Sequence, residues 1–279
     1  MSIRETAAVW RFKANWKFAV KKIVLTVLLY VALGPTLRPA FAGDLFIFNK
    51  TGFMDWSESI VNGNDYISET GVTEEFGGGY RGNVAGIELT PSAAIWGSVF
   101  AYDGVHADTL TPWKTITGDF GVKGALDVAV PIQLSENLNI APTAGTGVNY
   151  FVRSVGPEYW VVLTVKAGLR ASYKGFTASA GAMLPYYTSD SIDWTDIGMN
   201  SSVTVRPKGQ VSPYAEVSYR TGKWEFGAFF EQMKWDASDL VPYKQFTNKS
   251  PAAVIAVNGS LYQPDTVINH GGLSVVYHF

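Results

Sequence analysis

The chain has 279 residues, 14% of them aromatic and only 16% charged, with 28 glycines, no cysteine and a formal net charge of −2. Soluble domains are usually about a quarter charged, so this is a sparse charge for a water-facing surface. The missing cysteines exclude a disulfide framework. After residue 42 no stretch is both apolar and long enough, at about 20 residues, to cross a membrane as a helix.

The N-terminal segment contains "KKIVLTVLLYVALGPTLRPAFAGD". Lys21 and Lys22 precede a short apolar run from Ile23 to Leu33, and "AFA" at 40–42 has the small-residue spacing of a cleavage site. That pattern predicts a secretory signal over residues 1–42, removed between Ala42 and Gly43, and one domain over 43–279. Residues 1–42 hold seven of the 22 Lys and Arg and one of the 24 Asp and Glu. The remainder has 15 and 23, a formal charge of −8. No basic stripe is left, which argues against a nucleic-acid partner.

From residue 44 on, strand patterns recur and no amphipathic helix stands out. In "FGVKGALDVAVPI", Phe120, Val122, Leu126, Val128, Val130 and Ile132 share one face, and Lys123, Ala125, Asp127 and Ala129 the other. In "LNIAPTAGTGVNYFVR", Leu138, Ile140, Ala144, Val148, Tyr150 and Val152 oppose Asn139, Thr143, Gly145, Asn149 and Arg153. "VVLTVKAGLRASY", "FTASAGAMLPY" and "WEFGAFFEQMKW" repeat the period of two that marks a strand. About ten strands result, at 44–56, 76–89, 93–103, 117–133, 138–153, 159–172, 176–187, 207–219, 223–235 and 269–279. Tight connections near 90–92, 134–137, 173–175 and 220–222 alternate with long ones near 57–75, 104–116, 188–206 and 236–268; only 154–158 is short on the long side. The glycines of "EFGGGYRG" are expected to ease close packing or bending of a strand. The apolar "PAAVIAV" at 251–257 is expected to extend the last hairpin beyond the bilayer.

The strands are long enough to cross a bilayer at a tilt. Aromatics gather at strand ends: Tyr150 and Phe151, Tyr159 and Trp160, Tyr186 and Tyr187, Trp224, Trp235. These are expected to form girdles at the lipid–water boundary. Lipid offers backbone groups no water, so a sheet in it must have no free edge. The sequence therefore predicts an all-β fold: a closed antiparallel transmembrane barrel of about ten strands (8–12), with short periplasmic turns and long extracellular loops. The final "GGLSVVYHF" is its closing strand, paired with the first.

In its signal segment, its alternation from residue 44 and its C-terminal "VVYHF", the chain resembles the outer-membrane β-barrel proteins of Gram-negative bacteria. The resemblance implies residence in the cell outer membrane, with lipids and lipopolysaccharide as surroundings. It also implies that Val275, Tyr277 and Phe279 act as the signal for the barrel-assembly machinery. The inward face is expected to carry Asp119, Lys123, Asp127, Lys166, Arg170, Glu216, Glu225 and Glu231, paired across a lumen about filled by side chains.

Ten strands also suit the omptins, whose catalysis pairs acidic residues and an Asp–His pair on facing outer loops. On that resemblance His106, Asp103 and Asp108 are the catalytic candidates, facing Asp190, Asp193 and Asp196. The stretch "MKWDASDLVPYKQ" has no histidine where the pair is expected. Three dispersed histidines and no cysteine give no metal-ligand spacing, so no metal or other cofactor is expected. Three roles stand in order of preference: a non-enzymatic barrel with a structural or interaction role through its extracellular loops, where an extracellular ligand could bind; a narrow channel or small-hydrophobe transporter; and an omptin-like protease.

Overall fold

The computed structural model describes residues 43–59, 65–105, 112–154, 158–193, 202–250 and 253–279. The predicted signal segment lies outside them. The described strands are β1 (Gly43–Ser59), β2 (Asp65–Val84), β3 (Ile87–Val105), β4 (Pro112–Thr117), β5 (Asp119–Ala129), β6 (Ile132–Gln133), β7 (Leu138–Arg153) and β8 (Glu158–Tyr173). They continue as β9 (Phe176–Asp193), β10 (Ser202–Val205), β11 (Lys208–Gln210), β12 (Ser212–Thr221), β13 (Trp224–Asp236), β14 (Val241–Ser250), β15 (Ala253–Leu261) and β16 (Asp265–His278). No helix occurs among the described residues.

These strands build ten walls of one closed antiparallel barrel. β4, β5 and β6 are one wall broken at Gly118 and at Val130–Pro131, and β10, β11 and β12 are another. Closure is made by β16, which pairs β13 on one side and β1 on the other, with Phe46 opposite His278 and Ser59 opposite Asp265. The Phe279 amide also donates to the Leu45 carbonyl at 3.0 Å. The main wall strands are thereby paired on both sides, as a sheet in lipid requires, while the short β4, β6 and β10 at the barrel ends pair on one side only.

The alternation sorts side chains as the sequence predicts. Outward lie the exposed Ile47, Phe76, Ile95, Leu126, Val148, Leu169, Phe226 and Leu273. Inward lie Trp56, Trp96, Phe151, Arg153 and His278, all buried. Inside a barrel burial means lumen, so here the core is the lumen's filling and the greasy surface is the belt. Phe46 and Phe48 lie across β2, opposite Gly79 and Gly77. A Cβ at Gly77 would come within 2.5 Å of the Phe48 ring, and one at Gly79 within 2.6 Å of the Phe46 ring. The two rings occupy the space these glycines leave.

Two expectations are corrected. The first tight turn is at Ala85–Gly86, where φ is 53° and 85°, and not at 90–92. Asn83 Oδ1 accepts the Gly86 amide at 3.0 Å, so the turn signal is "NVAG"; Pro91 continues in β3 opposite Leu126. Second, much of each long connection is strand. β2 begins at Asp65, β3 and β4 run to Val105 and from Pro112, and β9 reaches Asp193. The 236–268 connection contains β14 and β15, a separate two-stranded hairpin, consistent with the extension expected there.

Candidate functional site: the lumen

Three layers fill the barrel. The first, at the short-turn end, is polar. His278 meets Asp44 through Nδ1 at 2.7 Å and Glu225 through Nε2 at 3.1 Å. Arg220 binds Asp44 at 3.0 Å, and Ser218 donates to Glu225 at 2.7 Å. Just above, Arg170 grips Glu88 with two nitrogens at 2.7 and 3.1 Å, the bidentate geometry that makes such pairs strong.

The second layer surrounds a cavity of about 370 Å³. Lys166 pairs with Asp127 at 2.8 Å, and Lys123 with Glu75 at 2.6 Å and more distantly with Glu231 at 4.0 Å. Glu231 reaches His270 Nδ1 at 3.1 Å, and His270 Nε2 lies 2.7 Å from Thr73 Oγ1. Hydroxyl, imidazole and carboxylate in line have the connectivity of a nucleophile, base and acid. Thr73 is buried and does not line the cavity, so these three groups tie β2, β16 and β13 together on the inner face of the wall.

The third layer lies at the far end. Trp56, Trp96, Phe100, Phe151, Trp160 and Trp235 pack with Met54, Val162 and Ile268 into one buried cluster. Phe151 stacks on Trp160 at 5.7 Å, and Trp56 meets Trp160 edge-on at 5.4 Å. Each indole N–H has an acceptor: Glu58 for Trp56, Asn149 for Trp96, Glu158 for Trp160 and Thr188 for Trp235. A buried tryptophan needs such a partner. Arg153 caps the layer, its guanidinium 4.3 Å from the Trp56 ring centroid. It binds Glu58 at 3.2 Å, Glu69 at 3.2 Å and Glu158 at 2.8 Å.

Asp119 and Asp190 are buried in the same neighbourhood, and Asp190 makes no hydrogen bond through its carboxyl oxygens. On β1, β2 and β13 the outward positions at this height, Asp55, Ser57, Ser68, Lys234 and Asp236, are polar and mark the upper edge of the apolar belt, while beside Asp119 and Arg153 they are Phe120 and Val152. Burial pushes the carboxyls of Glu58, Glu69 and Asp190 up, and that of Asp119 up to about 8. Burial opposes the Arg153 charge, yet the surrounding carboxylates prevail and hold its pKa well above its ordinary value.

The residues expected in the lumen can now be placed. Lys123, Asp127, Lys166, Arg170, Glu216, Glu225 and Glu231 all line the cavity, and Asp119 lies in the cage. Glu216 and Asp119 alone of these have no ion pair among the described residues. The sequence reading missed their partners Glu75, Glu88 and Asp44 and the whole Arg153 cage. Phe151, Trp160 and Trp235, expected in the girdles, are instead lumen residues that form the seal. Their parity shows why: each shares its face with inward polar residues, Phe151 with Asn149 and Arg153. Tyr150, Tyr186, Tyr187 and Trp224 are exposed, as girdle residues are.

Val275 and Phe279 face outward and are exposed, with Tyr277 packed against Trp224 at 4.9 Å. Of the catalytic candidates, Asp103 is an exposed partner of Lys114 at 2.5 Å. His106 and Asp108 lie outside the described residues, as does Asp196 and the side chain of Asp193. Asp190, expected in a loop, is sealed in the cage. Among the described residues no group of acids or histidines could hold a metal ion.

No protein-family model matches the chain, and comparison with curated proteins finds no match. Solved structures similar to it include the outer membrane protease OmpT of Escherichia coli, at 10% identity and TM-score 0.47, covering 86% of this chain and 98% of that one. Neisserial surface protein A follows at 10% identity and TM-score 0.34, covering 84% and 97%. The outer membrane protein OprG of Pseudomonas aeruginosa is at 12% identity and TM-score 0.34, covering 86% and 98%. The molecule's own construction fixes its class. A sheet without a free edge, apolar outside and charged within, is built for a bilayer, and the chain has the fold of the Gram-negative outer-membrane β-barrels.

Proposed function

We propose that the protein is a non-enzymatic integral protein of the outer membrane, with a sealed lumen and an interaction role at its extracellular end. The observation that carries this reading is the aromatic layer and its Arg153 cap. Together they set six large aromatic side chains across the lumen, under an arginine that pairs with three glutamates. What then remains available to a partner is the rim of extended strands and the β14–β15 hairpin above it.

A second reading has its own support. The 370 Å³ cavity below the seal has a mixed lining, with Trp96, Met183, Phe229 and Tyr214 beside Lys123 and Asp127, the composition of a small-molecule site. On that reading the aromatic layer is a gate that parts for a small hydrophobic solute. Nothing among the described residues favours the omptin-like reading over these two.

Swelling of proteoliposomes carrying the protein in small sugars and in small aromatic solutes tests the choice. The sealed-lumen reading expects no uptake above that of empty liposomes. Uptake of the aromatic solutes alone would move the function to the cavity.

A further inference from the structure

The outer face of the belt carries one carboxylate among the described residues. Glu74 of β2 is exposed and points outward, with Val72 and Phe53 toward the rim and Phe76 and Ile47 toward the turns; all four apolar side chains are exposed. Its two oxygens accept hydrogen bonds from Asn49 Nδ2 and, at 2.8 Å, from Thr51 Oγ1, both on β1. This is a polar island in a surface that lipid chains should cover. An ionisable group facing hydrocarbon is costly to retain and marks a site by default.

Three walls away is a complement. Lys234 of β13 lies between Met233, packed against the lumen cluster, and the buried Trp235, so alternation turns it outward. It makes no ion pair among the described residues. Between Glu74 and Lys234 run β1 and β16, with Leu273 at 68% and Phe53 at 56% exposure. Their outward Gly271, opposite Phe53 in the ladder, leaves the middle of this face low.

A two-fold axis normal to the membrane through the β16–β1 seam would set the β2 flank of one copy against the β13 flank of the other. The arrangement is self-complementary, as an isologous interface must be. Glu74 of each copy meets Lys234 of its mate, with Leu273, Phe53 and the small Gly271 in the middle, where close approach supplies packing that lipid does not, and the outward Asp55, Asn269 and Gln232 rimward of them. Lys234 stands nearer the rim than Glu74, and its flexible stem can lie along the apolar surface to reach it. We propose that this face, β13–β16–β1–β2, binds a second copy of the chain through two Glu74–Lys234 ion pairs, Lys234 reaching down from the polar rim to Glu74 in the belt.

The absence of native cysteine makes the test clean. Leu273→Cys places a thiol on the seam, beside its own symmetry mate, and Leu169→Cys places one at similar exposure, 63%, on β8 across the barrel. In oxidised native membranes Leu273→Cys should give a covalent dimer and Leu169→Cys should not. On top of Leu273→Cys, Glu74→Lys should reduce the dimer yield about tenfold, and adding Lys234→Glu should restore it, with heat-modifiable gel mobility confirming folded barrels throughout. Equal cross-linking of the two cysteine variants, no cross-link from Leu273→Cys, or failure of the charge swap to restore the dimer would overturn the proposal. A folded Leu273→Cys barrel cross-linked only to another protein, or protected by bound lipid, would do so as well.

Discussion

Arg153 shows how much of the molecule rests on single side chains. It is 2% exposed and holds three glutamates over the aromatic layer. Removing one partner of a buried ionic group leaves the others uncompensated, at a cost of about 3–5 kcal/mol. Arg153→Ala should therefore lower the unfolding free energy by that order, read as a fall in the urea midpoint in micelles. Trp160→Ala, which removes the ring at the centre of the stack, should cost a similar ~3–5 kcal/mol by the cavity it leaves.

Asp119 adds a pH dependence. Its carboxyl is near 8 when folded and near 4 when unfolded. Between those values the unfolded chain releases a proton that the folded chain keeps, so stability falls as pH rises from about 4 to about 8 and is level beyond. Glu58, Glu69 and Asp190 are displaced in the same direction. One such group contributes a slope of at most about 1.4 kcal/mol per pH unit. Asp119→Asn should flatten the decline in thermal stability between pH 5 and 8; an unchanged slope would remove Asp119 from the account.

At the scale of elements, the sequence was legible wherever lipid touches the wall. There one face is apolar and the other polar, and the period of two is strong, so the expected bounds of β7, β8 and β13 fall within one residue of those observed. Above the belt the outward positions meet water while the inward ones carry the Arg153 cage. Both faces are then polar, the alternation vanishes, and residues 65–75 look like loop although β2 runs through them. That is why Glu58, Glu69 and Glu158 are not legible as inward residues and Asp190 reads as a loop residue, while the charges beside lipid-facing residues are legible. Placement of the first turn failed for a local reason: "TPS" looked like a turn, but the φ > 0 positions demanded by a two-residue connection are Ala85 and Gly86. The glycine run was better understood. Gly77→Val should drive Phe48 from its seat and cost about 1–3 kcal/mol of stability, measured as a lower temperature for loss of the compact gel band.

For the whole molecule, the central fact is that a barrel of ten walls has little interior to spare. In this one, ion pairs occupy the turn end and the middle around the cavity, and on the sealed-lumen proposal an aromatic stack crowned by Arg153 closes the far end. The charges predicted for the lumen were visible because they share a strand face with one another. Their pairing was not, because it depends on the register and stagger of walls far apart in sequence, as when Arg170 meets Glu88 or Asp44 meets His278. Sealing is a property of the closed sheet, and no one strand contains it.

Single-channel recording of residues 43–279 in a planar bilayer, beside Arg153→Ala combined with Trp56→Ala, tests that claim most directly. The sealed lumen predicts silence from the folded native barrel and discrete conductance steps from the double variant, whose plug is thinned at its centre. Steady conductance from the native protein, or silence from a variant shown to be folded, would contradict it.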